Sequence, residues 1–248
     1  MTRVSLPRFF VPAQRLRSRT FELGEKESRH ALKVLRLGDG DRIELFDGEG
    51  NAFGGRVTGR ARGRLLVCVE EALPARDPGV RVTLGISVIK PDRMEWLIEK
   101  ASELGASGIL PVLSQRSVIR ISRERWPRKI ERWQKIARET CKQCGRSQAP
   151  VVGPAQDFRA CVQGFGGFDR VLIPTLAVQG RPLKSVLDAR RSAKNILALI
   201  GPEGDFTPQE AALAVAAGAE PVSLGKLVLR SETAAVYLTA ALNFAFFD

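Results

Sequence analysis

Ile196–Phe206 reads ILALIGPEGDF: five uncharged apolar residues run straight into a glycine-proline-acid-glycine turn. An apolar run of that length, bounded by turn residues, fits a strand covered on both faces. Strands of that kind belong to parallel sheets. The next residues, Thr207-Pro208-Gln209-Glu210, carry a threonine suited to N-cap, a proline suited to the first helical position and a glutamate able to bond back to the cap. Strand, tight turn and helix therefore follow one another, and the pattern repeats outward in both directions. Val171–Pro174 (VLIP) precedes a helical stretch near Pro182–Arg190, and Pro221–Leu224 precedes an apolar helix over Ala234–Phe247 opened by Ser231-Glu232-Thr233. Upstream, Val82–Ile89 reads as a strand, Pro91–Leu104 as a helix, Ile109–Leu113 as a strand, and about Arg125 to Cys144 as a long helix. That alternation predicts an α/β domain with a mainly parallel sheet and helices on its faces.

The first 75 residues follow another rule. Short runs, Arg42–Phe46 (RIELF), Gly55–Thr58 and Arg64–Val69 (RLLVCV), are separated by the turn clusters GDGD, DGEGN and TGRARG. Glu25–Leu37 alone has helical spacing, so a small β-barrel around one helix is expected. Leu73–Gly79 (LPARDPG), with two prolines and a glycine, is the predicted boundary. The expected domains are therefore 1–75 and 76–248.

Charge separates the chain differently. Its 39 Lys and Arg against 27 Asp and Glu give a formal net charge of +12. The excess sits in residues 1–150, and residues 151–248 are neutral, with nine charges of each sign. Arg116–Arg146 carries eleven basic groups and three acidic ones. A basic half beside a neutral half suggests a polyanion-binding face next to a site with another task. The single histidine, His30, argues against a Ser-His-Asp hydrolase and excludes a multi-histidine metal centre. Cys141 and Cys144 form a C-x-x-C on the apolar stripe of the long helix, with no second pair, so core packing is expected and no metal. No run approaches the roughly 18 to 20 apolar residues of a membrane span, and MTRVSLPRFF lacks the apolar segment of a secretory signal. A cytoplasmic protein without a membrane partner is expected. The almost wholly apolar last helix predicts a dimer interface.

Ligands of open α/β sheets bind beyond the C-terminal strand ends. Three such ends carry unusual loops: Pro174-Thr175-Leu176, Gly201–Phe206, and Ser223–Thr233 (SLGKLVLRSET). Neither G-x-G-x-x-G at a strand–helix junction nor a Walker A pattern is present, so the usual NAD, FAD and ATP chemistries lack support.

LIGPEGDFTPQE followed by LGKLVLRSETAA closely resembles the RsmE family of RNA methyltransferases, in the knotted SPOUT superfamily. PRFF near the N-terminus, RHALKVLRLGDGDRIELFDG, KPDRMEWLIEKASELG and ERWQKIARETCKQCGR extend the resemblance over nearly the whole chain in family order. The resemblance implies an N-terminal PUA-like β-barrel for RNA and a SPOUT α/β domain with a trefoil knot. It also implies S-adenosylmethionine (SAM) as cofactor, a homodimer, and N3 of one uridine in 16S ribosomal RNA, within the small ribosomal subunit, as target. Carried over by position, the cofactor site takes Thr175 and Leu176; Ile200, Gly201 and Gly204; and Leu224, Gly225, Leu229, Ser231 and Thr233. Two positions depart from the pattern: Asp205 where the family usually has a second glycine, and Ser231 where threonine is common.

Methylating a weakly acidic N3–H needs a cation for the negative charge developing on O2 or O4, and a proton acceptor. Arg230, between two of the loops, is the candidate cation, and Glu203 the candidate acceptor, with Glu232 the alternative. The expected RNA contacts are Arg3, Arg8, Arg29, Lys33 and Arg36 from the first domain and Arg120, Arg123 and Arg128 from the basic strip. Another SPOUT methyltransferase with a different target is one alternative. A non-catalytic RNA-binding or ribosome-assembly protein is the other, though such a protein has no reason to keep both loop motifs.

Overall fold

The computed structural model describes residues 6–74, 79–117, 119, 121–188 and 193–246. Arg3, Arg120, most of the predicted boundary and the last residues of two predicted helices lie outside the described residues. The chain divides into two compact units, 1–77 with 138–149, and 78–137 with 150–248.

The first unit contains β1 (Arg8–Phe10), α1 (Ala13–Leu16), β2 (Thr20–Glu22), α2 (Glu25–Lys33), β3 (Arg42–Phe46), β4 (Ala52–Ala61) and β5 (Arg64–Leu73). Its five strands run in the order β1-β3-β4-β5-β2, antiparallel except for β1 beside β3. Phe9, Leu23, Ala31, Ile43, Leu45, Val57, Leu65 and Val67 form its core. Helix α2 stops four residues short of Leu37, and Arg36 takes a left-handed φ of 56°.

One expected RNA contact, Arg8, lies inside the first unit. The Arg8 side chain is buried, pairs with Glu44 at 3.2 Å, donates to the Arg146 carbonyl at 3.0 Å and lies over the Phe46 ring. The sequence read it as surface charge, whereas the side chain is enclosed beside the Phe46 ring.

The second unit holds β6 (Arg81–Ser87), α3 (Pro91–Glu103), β7 (Gly108–Leu113), β8 (Val151–Val152), β9 (Gln156–Asp157), α5 (Phe158–Gln163), β10 (Arg170–Pro174), β11 (Arg181–Pro182), α6 (Leu183–Asp188), β12 (Asn195–Ile200), α7 (Pro208–Ala216), β13 (Glu220–Ser223) and α8 (Ser231–Phe246). Helix α4 (Trp126–Cys144) belongs to it as far as Ala137, and its last turns belong to the first unit. The sheet order is β11-β13-β10-β12-β6-β7-β8, and its pairings are parallel throughout. Strand β12 is buried from Ile196 to Ile200, as a central parallel strand must be. Its two faces enter different clusters: Ile196, Ala198 and Ile200 pack with α3 and α8, while Leu197 and Leu199 pack with α5 and Phe206. Beyond it, Thr207 accepts from the Glu210 amide at 3.2 Å and the Glu210 carboxylate accepts from the Thr207 amide at 2.9 Å. This reciprocal cap fixes where α7 begins and hence how long the preceding loop can be.

Candidate active site

Strands β12 and β13 both neighbour β10, and the loops after the three converge on a cavity of about 360 Å³. That volume falls in the range of small-molecule sites. Of the ten positions expected to hold a cofactor, Thr175, Leu176, Ile200, Gly201, Leu224, Gly225, Leu229 and Ser231 line it. Gly204 and Thr233 do not. A Cβ on Gly204 would face the Arg116 side chain, 3.6 Å away. Thr233 lies two residues along α8 from the lining Ser231, about 200° around the helix, and is exposed.

The first two loops are fastened to each other. Asp205 takes a left-handed φ of 59°, unusual for a residue with a side chain. From there its Oδ2 accepts from the Thr175 hydroxyl at 2.9 Å and the Leu176 amide at 2.7 Å, and its Oδ1 from the Phe206 amide at 2.7 Å. Gly201 gives the carboxylate room: a Cβ there would stand 3.0 Å from Asp205 Oδ1. The loop is braced on its other side by Arg116, which donates to the Gly204 carbonyl at 2.7 Å.

Glu203 lines the cavity, whereas Arg230 and Glu232 do not. Arg230 is exposed, and among the described residues no ion pair or hydrogen bond engages its guanidinium. Glu203 and Glu232 both lie 3.7 Å from the same nitrogen of Arg93, a residue of α3 that the sequence motifs left aside. Sequence reading also missed the Val178–Gly180 part of the wall. Gly180 carried the only signal: a Cβ there would meet the Val222 carbonyl carbon at 2.6 Å.

The wall is mostly aliphatic side chain and backbone. Among the described residues its charged groups are Glu203 and Asp205, and no Lys or Arg lines it. Such a wall repels phosphate and suits a ligand with an apolar ring system and cationic groups. An adenosine carrying a sulfonium and a zwitterionic amino-acid tail, with a net positive charge, fits that description, and a nucleoside triphosphate, with its several negative charges, does not. Among the described residues no group of His, Cys, Asp and Glu is arranged to hold a metal.

Residues 76–243 match the family described as RNA methyltransferase domain, and residues 23–69 match the RNA methyltransferase PUA domain. The ribosomal RNA small subunit methyltransferase E of Synechocystis is 31% identical over 95% of this chain and 77% of its own length. The chain belongs to the RsmE family. The RsmE of Neisseria gonorrhoeae, solved bound to S-adenosyl methionine, superposes with a TM-score of 0.85 at 33% identity, covering 96% of both chains. A Legionella pneumophila methyltransferase in complex with bound SAM gives a TM-score of 0.86 at 28% identity over 98% of both. The family thus supplies the PUA-like assignment of the first unit.

Of the expected RNA contacts in the first unit, Lys33 and Arg36 are exposed, and Arg29 is exposed but paired with Glu25 at 2.7 Å. In the basic strip Arg123 and Arg128 are exposed, while Arg132 is held by Glu95 at 2.6 Å.

Proposed function

We propose that this protein transfers a methyl group from S-adenosylmethionine to N3 of one uridine in 16S ribosomal RNA. The observation that carries the reading is the cavity formed by the loops after β10, β12 and β13, lined by carboxylates and, among the described residues, by no arginine, in a chain of the RsmE family. Residues 1–75 form the RNA-binding domain and 76–248 the methyltransferase domain, with the loops after β12 and β13 threaded as a SPOUT trefoil knot. The protein acts in the cytoplasm as a homodimer. Among the described residues no helix is long and apolar enough to cross a membrane. Because the target lies within folded ribosomal RNA, the assembled small subunit is the substrate.

Bound in the cavity, the donor supplies an electrophilic methyl group; everything else falls to the chain. The loops fix the approach so that N3 lies in line with the methyl. Favouring the uracil anion at neutral pH costs about 1.4 kcal/mol for each pKa unit separating N3–H from the medium. Arg230, unpaired among the described residues, offsets that cost beside O2 or O4. Glu203, the carboxylate of this pair on the cavity wall, accepts the proton.

The test uses small ribosomal subunits from a strain lacking the gene, incubated with pure protein and labelled donor, with the modified nucleoside identified by mass spectrometry. N3-methyluridine at one site is expected. Label in another nucleoside would move the target to that of a different SPOUT enzyme, and no donor binding at all would leave only an RNA-binding protein.

A further inference from the structure

Helix α3 contributes no residue to the cavity wall, yet it sends one side chain to the cavity's edge. Arg93, in the first turn of α3, places one guanidinium nitrogen 3.7 Å from the Glu203 carboxylate and 3.7 Å from that of Glu232. The two acids come from different segments. Glu203 belongs to the loop after β12 and lines the cavity, and Glu232 belongs to the first turn of α8, next to the lining Ser231. All three side chains are at least two-thirds enclosed, and Glu232 is the deepest at 11% exposure. Its second oxygen is buried and, among the described residues, accepts no hydrogen bond. Two carboxylates set this close in partly enclosed surroundings repel each other, and a single cation between them turns the repulsion into a tie.

We propose that Arg93 is a positioning residue for the donor site: it fastens the loop after β12 to the start of α8, the two segments that hold Glu203 and Ser231 against the ligand. The inference rests on reading the cavity as the methyl-donor site. It assigns Arg93 no contact with donor or uridine. Asp205 already ties the loop after β10 to the loop after β12, so Arg93 supplies the second of two ties and all three segments become one frame. It also gives Glu232 a role different from that of proton acceptor, since one of its oxygens faces Arg93 and the other is shut away.

The experiment is a double-mutant cycle read by calorimetric titration of the full-length protein with S-adenosylmethionine. Arg93→Ala is expected to weaken donor binding about tenfold, and Arg93→Lys to recover most of it, because a point charge can still sit between two carboxylates. RNA affinity should stay within about twofold, since the residue acts on the donor frame alone. In a Glu203→Gln, Glu232→Gln background the same Arg93→Ala change should alter donor affinity by less than about twofold, because the guanidinium has nothing left to hold. If Arg93→Ala does not fold, Arg93→Gln keeps most of the side-chain stem and carries the same comparison. Donor binding equal to wild type in Arg93→Ala, or an undiminished loss in the double-glutamine background, would overturn the inference while leaving the cavity reading intact. A wild-type protein that binds no donor would overturn the cavity reading itself, and the inference with it.

Discussion

The Asp205 carboxylate accepts a hydrogen bond from the Thr175 hydroxyl at 2.9 Å, joining two loops thirty positions apart in sequence. The same oxygen accepts from the Leu176 amide, and both donors belong to the cavity wall. Asp205 holds a left-handed backbone, φ 59°, of the kind glycine adopts most readily, and its side chain adds a clamp. The two effects separate by substitution. Asp205→Ala loses the clamp and keeps a Cβ in the left-handed region, and should cost about 2 kcal/mol of stability. Asp205→Gly loses the clamp alone and should be more stable than the alanine variant by about 1 kcal/mol. Both should bind S-adenosylmethionine more weakly than wild type. Equal unfolding midpoints for the two variants in urea would show that the backbone at 205 is unstrained.

Arg230 makes no side-chain interaction among the described residues, so removing it should leave the fold alone. Arg230→Ala is expected to change stability by no more than about 0.5 kcal/mol. Its single-turnover methylation rate should fall by about a hundredfold, the scale of a lost electrostatic contact to developing charge. Chemistry that survives while RNA affinity collapses would make Arg230 an RNA contact and leave O2 and O4 to another group.

Within the basic strip the charges are not equivalent. Arg123 and Arg128 are exposed and enter no described ion pair, whereas Arg132 is committed to Glu95 at 2.6 Å. Each of Arg123→Ala and Arg128→Ala should reduce the slope of log affinity against log salt by about 0.9, the release of one counterion per lost phosphate contact. Arg132→Ala should move the slope less. A filter-binding series from low to high salt reads all three, and identical slopes throughout would turn that face of the strip to solvent.

What the sequence made legible was local. ILALI and the Thr207–Glu210 box lie within a few residues of their partners, and both formed as read: β12 is buried along Ile196–Ile200 and the cap of α7 closes on itself. The loops after β10, β12 and β13 could be placed because strand ends in a parallel sheet share one edge. Pairings across long stretches left no trace. Arg93 reaches carboxylates 110 and 139 positions ahead, and nothing in KPDRMEW distinguishes it from a solvated helix arginine. Arg8 read as surface charge because its partners, Glu44 and the Arg146 carbonyl, come from β3 and from a segment far along the chain. Strands β8, β9 and β11, at two residues each, are too short for any periodicity. The early end of α2 was hidden because the left-handed residue there is Arg36 and not a glycine.

The C-x-x-C carries a pH-dependence. In the first unit, a hydrogen bond from the Cys141 thiol, the Arg146 amide, and the charges of Arg146 and Arg8 bring the Cys144 thiol down from 9.0 to about 6, against the opposing effect of burial. Burial alone pushes Cys161 up to about 11. Because folding favours the Cys144 thiolate, its contribution to stability is complete above pH 9.0 and is lost as pH falls through about 6. The alkylation rate of this thiol by iodoacetamide should be half-maximal near pH 6, and Cys144→Ser should abolish that phase. A reactive thiol that titrates at its ordinary value would mean that the Cys141 hydrogen bond does not hold in solution.

The last helix bears on assembly. Ala235, Leu238, Thr239 and Leu242 face the core of the second unit, which leaves Tyr237 and Phe244 exposed at 48% and 88%. Seven residues apart, the two rings lie on one stripe of α8, within about 20° around the helix axis. Single exposed apolar residues need no explanation, but an aromatic pair aligned on one face is a surface that association would cover. Burying one phenylalanine ring is worth roughly 1.5–3 kcal/mol, and twofold symmetry counts each substitution twice. Phe244→Glu should therefore weaken a dimer by about a hundredfold or more while leaving the monomer folded, because the side chain touches little of its own core. Sedimentation equilibrium across a concentration series measures the shift. A Phe244→Glu protein with the wild-type association constant would place the dimer contact on another face.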